Sequence, residues 1–313
     1  MEIIKLKHEI DFMRLRNAAF VFSILIFVFS IAAIAVRGLN FGIDFTGGTL
    51  VEGGYSEAVS LDRIRDALAD GGFERNVVQY FGSSREILIR LPPQDDGADS
   101  ALLSDQIVEV LKNASELPFE VKRVEFVGPQ VGEELREDGG LALLFAFIGI
   151  LIYVAFRFEW RLSVGAIIAL LHDPVLIIGI FAVTQTEFNL TTLAALLAVI
   201  GYSINDTIVI YDRIREGFRK IRKGTPAQIV NTSINETLAR TIMTSGSTLL
   251  VVLALYFLGG SAINGFALVL LIGIVVGTYS SIYVASNLAL LLGLSRETLL
   301  PPDKKDEAAE QFP

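Results

Sequence analysis

The chain contains no cysteine and only two histidines. The lack of cysteine excludes disulfides, thiol catalysis and cysteine-ligated metals, and it leaves the redox compartment undetermined. His8 and His172 both lie outside the polar segment 38–138, where no nucleophile–base pair and no cluster of metal ligands occurs. We therefore expect no metal and no cofactor, and we predict that the protein is not an enzyme.

An excess of basic residues is also missing, since the formal net charge is −9. Between Gly38 and Asp138, 9 Lys and Arg stand against 20 Asp and Glu, whereas the rest of the chain has 17 against 15. An acidic segment joined to a mildly basic remainder argues against nucleic acid as a partner.

Long apolar runs are what the sequence has in quantity. Its mean hydropathy is +0.55 and 52% of its residues are apolar, which is high for a soluble domain. About 20 apolar residues are needed for a helix to cross a bilayer. The sequence therefore predicts an α-helical polytopic membrane protein with six transmembrane helices, the second and fifth extended by about a turn: Ala18–Val36, Gly139–Phe156, Leu162–Val183, Leu190–Tyr211, Thr241–Leu258 and Gly265–Leu294.

Basic residues are distributed unevenly among the segments between these runs. Lys and Arg precede the first run, follow the last, and occur between the second and third and between the fourth and fifth, but the connectors 184–189 and 259–264 have none. Because basic loops stay in the cytoplasm, both termini are predicted to be cytoplasmic. The expected divisions are a cytoplasmic N-terminus 1–17, a first helix 18–36, an extracytoplasmic domain 37–138, a five-helix region 139–294 with a cytoplasmic amphipathic loop 212–240, and a cytoplasmic tail 295–313.

The first run could instead be a secretory signal, because Ala33-Ile34-Ala35 resembles a cleavage site. Its polar leader and its apolar stretch are both longer than those of a usual signal peptide. We expect the first helix to remain in the protein.

The segment after the first run alternates short strand and helix patterns. Its order, β-α-β-β-α-β, predicts one α+β ferredoxin-like extracytoplasmic domain between helices 1 and 2. That fold by itself fixes no function, and we interpret the domain as a binding or coupling module. The predicted elements are strands Thr49–Tyr55, Val77–Phe81, Glu86–Leu91 and Phe119–Val127, with helices Ser60–Ala69 and Ser100–Ala114.

Charged residues inside the apolar runs are candidates for function, because each costs about 2.5–3.5 kcal/mol to insert. Asp206 lies near the cytoplasmic end of the fourth run, and Arg240 lies where the fifth begins. Thr244 and Ser247 extend a polar stripe along the same helix face as Arg240. Asp206 and Arg240 are predicted to pair, either as a proton-coupling switch in which Asp206 titrates or as a structural pair.

A second polar position interrupts the third run. His172 and Asp173 lie near its middle and precede Pro174, which bends helices. The residues indicate either a proton relay across the bilayer or a polar kink that bonds to a neighbouring helix.

Asp44, Gly47 and Gly48 follow the first run closely. Glycines permit close backbone approach and unusual dihedral angles. This motif predicts a hinge or coupling segment between membrane and domain, and a plain tight turn is the alternative.

Five stretches of sequence carry a resemblance to a known family: Gly42–Thr49, Phe156–Arg161, His172–Pro174, Gly201–Glu216 and Glu236–Ser245. In order and spacing they resemble the SecF subunits of the bacterial protein-export machinery, over nearly the whole chain. The resemblance implies a protein of the bacterial inner membrane that uses the proton gradient with a SecD-like subunit. It further implies a helix-packing role for Gly201 and Asn205. The implied partners are the SecD-like subunit, the Sec translocation channel with its accessory subunits, unfolded exported polypeptide and membrane lipid.

Two other functions fit parts of the sequence. Half of a proton-driven small-molecule efflux transporter would have a related fold, but the outer segment is small for substrate pockets. An intramembrane aspartyl protease would use Asp173 and Asp212, yet Leu171 and His172 precede Asp173 where such enzymes have a Gly-x-Gly-Asp motif.

The predicted topology can be tested directly because the chain has no native cysteine. A single cysteine introduced at Gly97 should react with a membrane-impermeant maleimide added from the extracytoplasmic side. Labelling only after the cytoplasmic face is opened would contradict the topology.

Overall fold

A computed structural model describes residues 9–73, 76–93, 100–115 and 117–299. His8, Gly97 and the end of the expected tail, residues 300–313, lie outside these ranges. In chain order the elements are α1 (Arg16–Arg37), β1 (Asn40–Phe41), α2 (Ile43–Thr46), β2 (Gly48–Tyr55), α3 (Leu61–Asp70), β3 (Val77–Phe81), β4 (Ser83–Leu91), α4 (Ser100–Asn113), β5 (Phe119–Val127), α5 (Pro129–Arg157), α6 (Trp160–Thr184), β6 (Glu187–Phe188), α7 (Leu190–Lys220), α8 (Pro226–Leu258), α9 (Asn264–Ser280), a π-helical turn (Ser281–Ala285), α10 (Ser286–Leu291) and α11 (Arg296–Leu299).

Six helices are long and apolar enough to cross a membrane, which confirms the predicted number of spans. They are α1, α5, α6, α7, α8 and the continuous segment Asn264–Leu291. The second and fifth spans begin much earlier than predicted, at Pro129 and Pro226. Both helices start with proline, whose missing N–H costs nothing in the first turn, and a reciprocal side-chain cap between Thr225 and Gln228 adds to the start of α8.

The segment 212–240, predicted to be a cytoplasmic amphipathic loop, is helical over most of its length. The fourth span continues as α7 to Lys220, and a short turn leads directly into α8. Ile214 and Phe218 are buried and share a core cluster with Val230 of α8. The apolar face of this segment is therefore covered by protein, and the two helix ends form a packed extension of the bundle.

The centre of the bundle is formed by α6, α7 and α9, whereas α1, α5 and α8 expose most of their apolar surface. Glycines allow α9 to approach α7 closely. A Cβ atom added to Gly277 would lie 3.0 Å from the Cβ atom of Ser203, and one added to Gly273 would collide with Val199. Small residues at such contacts bring helix backbones together in membranes.

The segment between α1 and α5 contains a four-stranded antiparallel sheet in the order β3-β4-β2-β5. Helices α3 and α4 cover one face of this sheet, because each presents a buried apolar stripe to it, as Ile64 and Leu68 of α3 and Ile107 and Leu111 of α4 show. We refer to this unit as the outer domain.

A second, two-stranded sheet joins the outer-domain end of α1 to the connection between α6 and α7. In it, Asn40 lies opposite Glu187, and Phe41 lies opposite Phe188. The side chain of Asn40 donates to the carbonyl oxygen of Gln185 at 2.9 Å. We refer to residues 38–42 and 185–189 together as the collar.

The close packing of α9 on α7 predicts that Gly273→Val destabilises the bundle by about 1–3 kcal/mol, as overpacking of tight cores does. Gly149→Val is the matched control, because a Cβ atom at Gly149 of α5 meets no atom within 4 Å. Denaturant unfolding of both variants in detergent checks this, and equal losses of stability would contradict it.

Candidate functional site

The carboxylate of Asp173 lies in the middle of α6 and is only 1% exposed. Its Oδ2 atom accepts hydrogen bonds from the Ser203 hydroxyl at 2.5 Å and the Ser280 hydroxyl at 2.8 Å. These donors belong to α7 and α9, so one carboxylate joins the three central helices. Buried polar groups are usually hydrogen-bonded, and this carboxyl group satisfies that rule through its neighbours on two other helices.

His172, the neighbouring residue, is also buried. Its Nδ1 atom lies 2.9 Å from Oδ1 of Asp173, and its Nε2 atom has no hydrogen-bond partner among the residues that the structure describes. The imidazole stacks nearly parallel on Phe27 of α1, with ring centroids 6.1 Å apart. The arrangement leaves one ring nitrogen of a titratable side chain available at the centre of the bundle.

Asp206 lies on α7 one turn beyond Ser203 and is 7% exposed. Its Oδ1 atom accepts a hydrogen bond from the Thr241 hydroxyl of α8 at 3.0 Å. Its Oδ2 atom is buried and, within the described ranges, has no partner. An unsatisfied buried carboxylate oxygen is costly unless the group takes up a proton or gains a donor.

The expected ion pair between Asp206 and Arg240 is not present in this arrangement. Thr241 occupies the inward position of α8, whereas Arg240 is exposed. The physical reason is helix geometry, because consecutive residues project about 100° apart around a helix. Thr244 and Ser247, which were expected to extend the polar stripe, are likewise exposed and donate to carbonyl groups of their own helix.

Hydroxyl side chains complete the polar interior. Thr207 of α7 and Ser281 of the π-helical turn lie 2.7 Å apart, oxygen to oxygen. The turn follows Ser280 directly, and single π-turns inside α-helices often occur at functional sites. The sequence interpretation missed Ser203, Ser280 and Thr241, although each is a polar residue within an apolar run and could have been noted on that ground.

Gly201 and Asn205 lie on the opposite side of α7, where both are exposed. A Cβ atom at Gly201 would meet no atom within 4 Å. The structure therefore does not place these residues at a helix contact within the chain, because the packed face of α7 is the one that carries Ser203 and Asp206.

The Asp44 motif contacts both the bundle and the outer domain. Oδ2 of Asp44 accepts a hydrogen bond from the backbone N–H of Leu190, the first residue of α7, at 2.8 Å. Gly47 and Gly48 have φ angles of 69° and 120°, and a Cβ atom at Gly47 would lie 2.9 Å from Cα of Pro129. The motif is a tight, closely packed turn here, and its role as a hinge stays a prediction.

Within the described ranges, no group of three or more His, Asp or Glu side chains is placed to hold a metal ion. The polar interior consists of carboxylates, one imidazole and hydroxyls, which are groups that exchange protons and hydrogen bonds.

The contact between Thr241 and Asp206 predicts that Thr241→Val lowers the free energy of unfolding by about 1 kcal/mol, the scale of a hydrogen bond between membrane helices. Thr244→Val is the matched control, since the Thr244 hydroxyl bonds only to carbonyls of its own helix. Unfolding measurements in detergent decide this, and a control as unstable as Thr241→Val would contradict it.

Known proteins resemble this chain over almost its whole length. A family model described as "Protein export membrane protein SecD/SecF, C-terminal" matches residues 106–295, and one described as "SecD/SecF GG Motif" matches residues 32–52. The protein translocase subunit SecF of Vibrio alginolyticus is 53% identical over 309 residues, covering 99% of this chain and 98% of the relative. The SecF subunit of Escherichia coli O157:H7 is 48% identical over 301 residues, covering 96% of this chain and 93% of the relative.

Solved structures give the same result. The crystal structure of SecDF from Thermus thermophilus, described as a translocon-associated membrane protein, superposes with a TM-score of 0.83 at 41% identity and covers 92% of this chain. A SecDF structure in a super-membrane-facing form gives 0.69 at 39% identity and covers 98% of this chain. The chain spans 39% and 41% of those two longer proteins. On this agreement of sequence and structure, the chain belongs to the SecF family of protein translocase subunits, which are multi-pass proteins of the bacterial inner membrane.

Proposed function

We propose that the chain works with a SecD-like subunit in the Sec protein-export complex and uses the proton gradient to assist translocation of unfolded polypeptide. Its role is conformational coupling and not catalysis. The companion subunit corresponds to the remainder of the SecDF chains, of which this chain spans about two fifths. The Sec channel with its accessory subunits and the surrounding lipid are the other proposed partners.

The observation that carries this proposal is the set of ionisable side chains buried among the central helices. Asp173 and Asp206 are 1% and 7% exposed, and His172 is 4% exposed. Ionisable groups within a membrane interior are costly, and they mark ion and proton pathways more often than simple packing sites. Asp173 and Asp206 each accept a hydrogen bond from a rotatable hydroxyl that can reverse its hydrogen bonds as a proton arrives or leaves, and His172 contacts Asp173.

Asp206 is the proposed switch, because one of its oxygens lacks a partner while the other bonds to Thr241. Arg240 immediately precedes Thr241 on α8. A rotation of α8 by about one residue position, roughly 100°, would exchange the Thr241 hydroxyl for the Arg240 guanidinium. The ionised carboxylate favours the second arrangement and the protonated one favours the first, so protonation and helix position are linked.

The outer domain is the proposed extracytoplasmic part, with both termini in the cytoplasm. Its strand and helix order and its β3-β4-β2-β5 sheet support a ferredoxin-like assignment. In this orientation the basic C-terminal ends of α5 and α7, which carry Arg157, Arg219 and Lys220, lie inside. The outer domain then has access to polypeptide that emerges from the channel.

Exposed polar residues at membrane depth support a partner within the bilayer. Gly201 and Asn205 of α7 and Arg240 and Thr244 of α8 are exposed in the isolated chain. Guanidinium and amide groups do not face lipid without cost. A SecD-like subunit that covers these faces would give Gly201 and Asn205 their expected packing role between subunits.

The proposed switch predicts that Asp206→Asn leaves the complex assembled but removes the stimulation of export by the proton gradient. One charge moved through 100 mV is worth about 2.3 kcal/mol, enough to shift a two-state equilibrium by a factor of tens. Arg240→Lys should be milder than Arg240→Ala, because the cation is retained. The measurement is gradient-dependent export into membrane vesicles at matched amounts of protein.

Asp212→Asn is the matched control, since Asp212 lies on the same helix and pairs with Arg157 at 2.6 Å outside the polar interior. Undiminished stimulation in Asp206→Asn would remove Asp206 from the mechanism and leave His172 and Asp173 as the candidates. Reduced protein levels in Asp206→Asn, with normal stimulation per molecule, would identify a purely structural residue.

A further inference from the structure

Arg90 connects the outer domain to the collar. It lies on β4, a central strand of the sheet, and its side chain is only 10% exposed. Its Nη1 atom donates to the carbonyl oxygen of Phe41 at 2.9 Å, and its Nη2 atom donates to Oδ1 of Asn40 at 2.9 Å. The guanidinium of an outer-domain strand is thereby fixed to the chain that leaves α1.

The same guanidinium reaches the connection between α6 and α7. Nη1 of Arg90 lies 3.8 Å from Oε2 of Glu187, whose side chain is 18% exposed. Gly42 packs closely beside it, because a Cβ atom at Gly42 would lie 2.7 Å from Oε1 of Glu187 and 3.0 Å from Cβ of Asn189. Arg90 therefore contacts both strands of the collar.

The collar connects directly to the helix that carries Asp206. Leu190 begins α7, and its backbone N–H donates to Asp44 at 2.8 Å. A carboxylate at this position is favoured by the partial positive charge of the helix N-terminus. The first residue of α7 is thus bonded to Asp44, and Glu187 lies in the strand just before it.

Several charges act on Glu187 in this place. Burial raises the pKa of Glu187 above its ordinary value, Arg90 opposes the rise, and Asp44 adds to it, while Arg123 and Glu125 of β5 act with opposite signs. Protonation of Glu187 removes its attraction to Arg90, but the two hydrogen bonds from Arg90 to Asn40 and Phe41 remain. A proton at Glu187 therefore loosens the contact without abolishing it.

Apolar contacts at the same interface have a different character. Ile43 of α2 packs with Leu50 and Leu88 of the sheet beside Arg90. Apolar contact holds surfaces together but does not fix their relative direction, whereas a guanidinium with two parallel donors does. Arg90 makes a directional connection of this kind between the sheet and the collar.

We propose that Arg90 is a positioning residue that transmits displacement of α7 to the outer domain through Glu187 and Asn40. The inference rests on the proposed function, and it adds that the exchange of partners at Asp206, in which α8 rotates, also displaces α7, the helix that carries Asp206. In this mechanism Arg90 binds no polypeptide and transfers no proton. It makes the sheet follow the collar.

The experiment uses the full chain assembled with its SecD-like subunit in proteoliposomes. Spin labels at cysteines introduced at Asp70 of α3 and Val183 of α6, both exposed and in a chain free of native cysteine, report the distance between outer domain and bundle. Arg90→Met keeps the length of the stem and removes the donors. We expect it to reduce gradient-dependent stimulation of export about tenfold, within the usual range of coupling between two sites, and to abolish any gradient-dependent change in the label distance.

Arg65→Met is the matched control. Arg65 also combines an ion pair, with Asp62 at 2.6 Å, and a donation to a backbone carbonyl, that of Val78 at 3.0 Å, but both lie within the outer domain. This variant should keep normal stimulation and a normal distance change. Glu187→Gln, which keeps the shape of the side chain, should fall between wild type and Arg90→Met.

The outcomes separate this inference from the function on which it rests. Arg90→Met with normal stimulation and a normal distance change would overturn the inference while leaving the function intact, and so would equal losses in Arg90→Met and Arg65→Met. A wild-type complex without gradient-dependent stimulation would overturn the proposed function itself. If Arg90→Met does not assemble, Arg90→Lys and Glu187→Gln at matched amounts decide, and normal coupling in both overturns the inference.

Discussion

The buried carboxylate of Asp173 imposes the constraint on which the membrane bundle depends. A carboxyl group in an apolar interior needs hydrogen-bond partners, and Asp173 finds them on α7 and α9 in Ser203 and Ser280. Those hydroxyls are on short side chains, so they reach the carboxylate only if the backbones approach closely. The glycine at 277, which packs against Ser203, provides that approach. The hydrogen bonds and the small residues of the bundle therefore require each other.

Helix α7 makes polar contacts with three of its neighbours in the bundle. Ser203 bonds to α6, Asp206 bonds to α8, and Thr207 contacts the π-helical turn after α9. Three polar positions within little more than one helical turn thus face three different neighbours. Any displacement of α7 exchanges these hydrogen bonds together. Hydroxyl groups make such an exchange feasible, because each can donate or accept after a simple rotation.

The sequence predicted the spans well because hydropathy integrates over many residues, but it predicted their ends poorly. The start of α8 is determined by Pro226 and the Thr225 cap, which lie outside the apolar run. The outer-domain strands were recovered because alternation of apolar residues is a local signal. Arg90 was not singled out, because an arginine on an amphipathic strand is most often a surface residue.

The sequence predicted which ionisable residues belong to the candidate site, but it did not predict which residues face one another there. The cost of burying charge correctly indicated that Asp206 and Asp173 lie in the interior, and both are buried. It gave no information on how each helix is rotated about its axis. Arg240 was therefore expected where Thr241 lies, and Gly201 was expected at a contact although it faces outward. Helix rotation is a property of packing between helices, and a single sequence does not contain it.

The rigidity of α7 explains how the proposed proton-linked change at Asp206 can reach the collar without a chain of side-chain contacts along the helix. At about 1.5 Å per residue, Asp206 lies about 24 Å along the helix from Leu190. An intact helix carries an axial shift over that length, so the N-terminus at Asp44 moves with the site. The shift moves the outer domain only if the collar does not deform when α7 moves. Paired strands at Asn40 and Glu187 are stiffer than a free loop, so the displacement passes to the sheet.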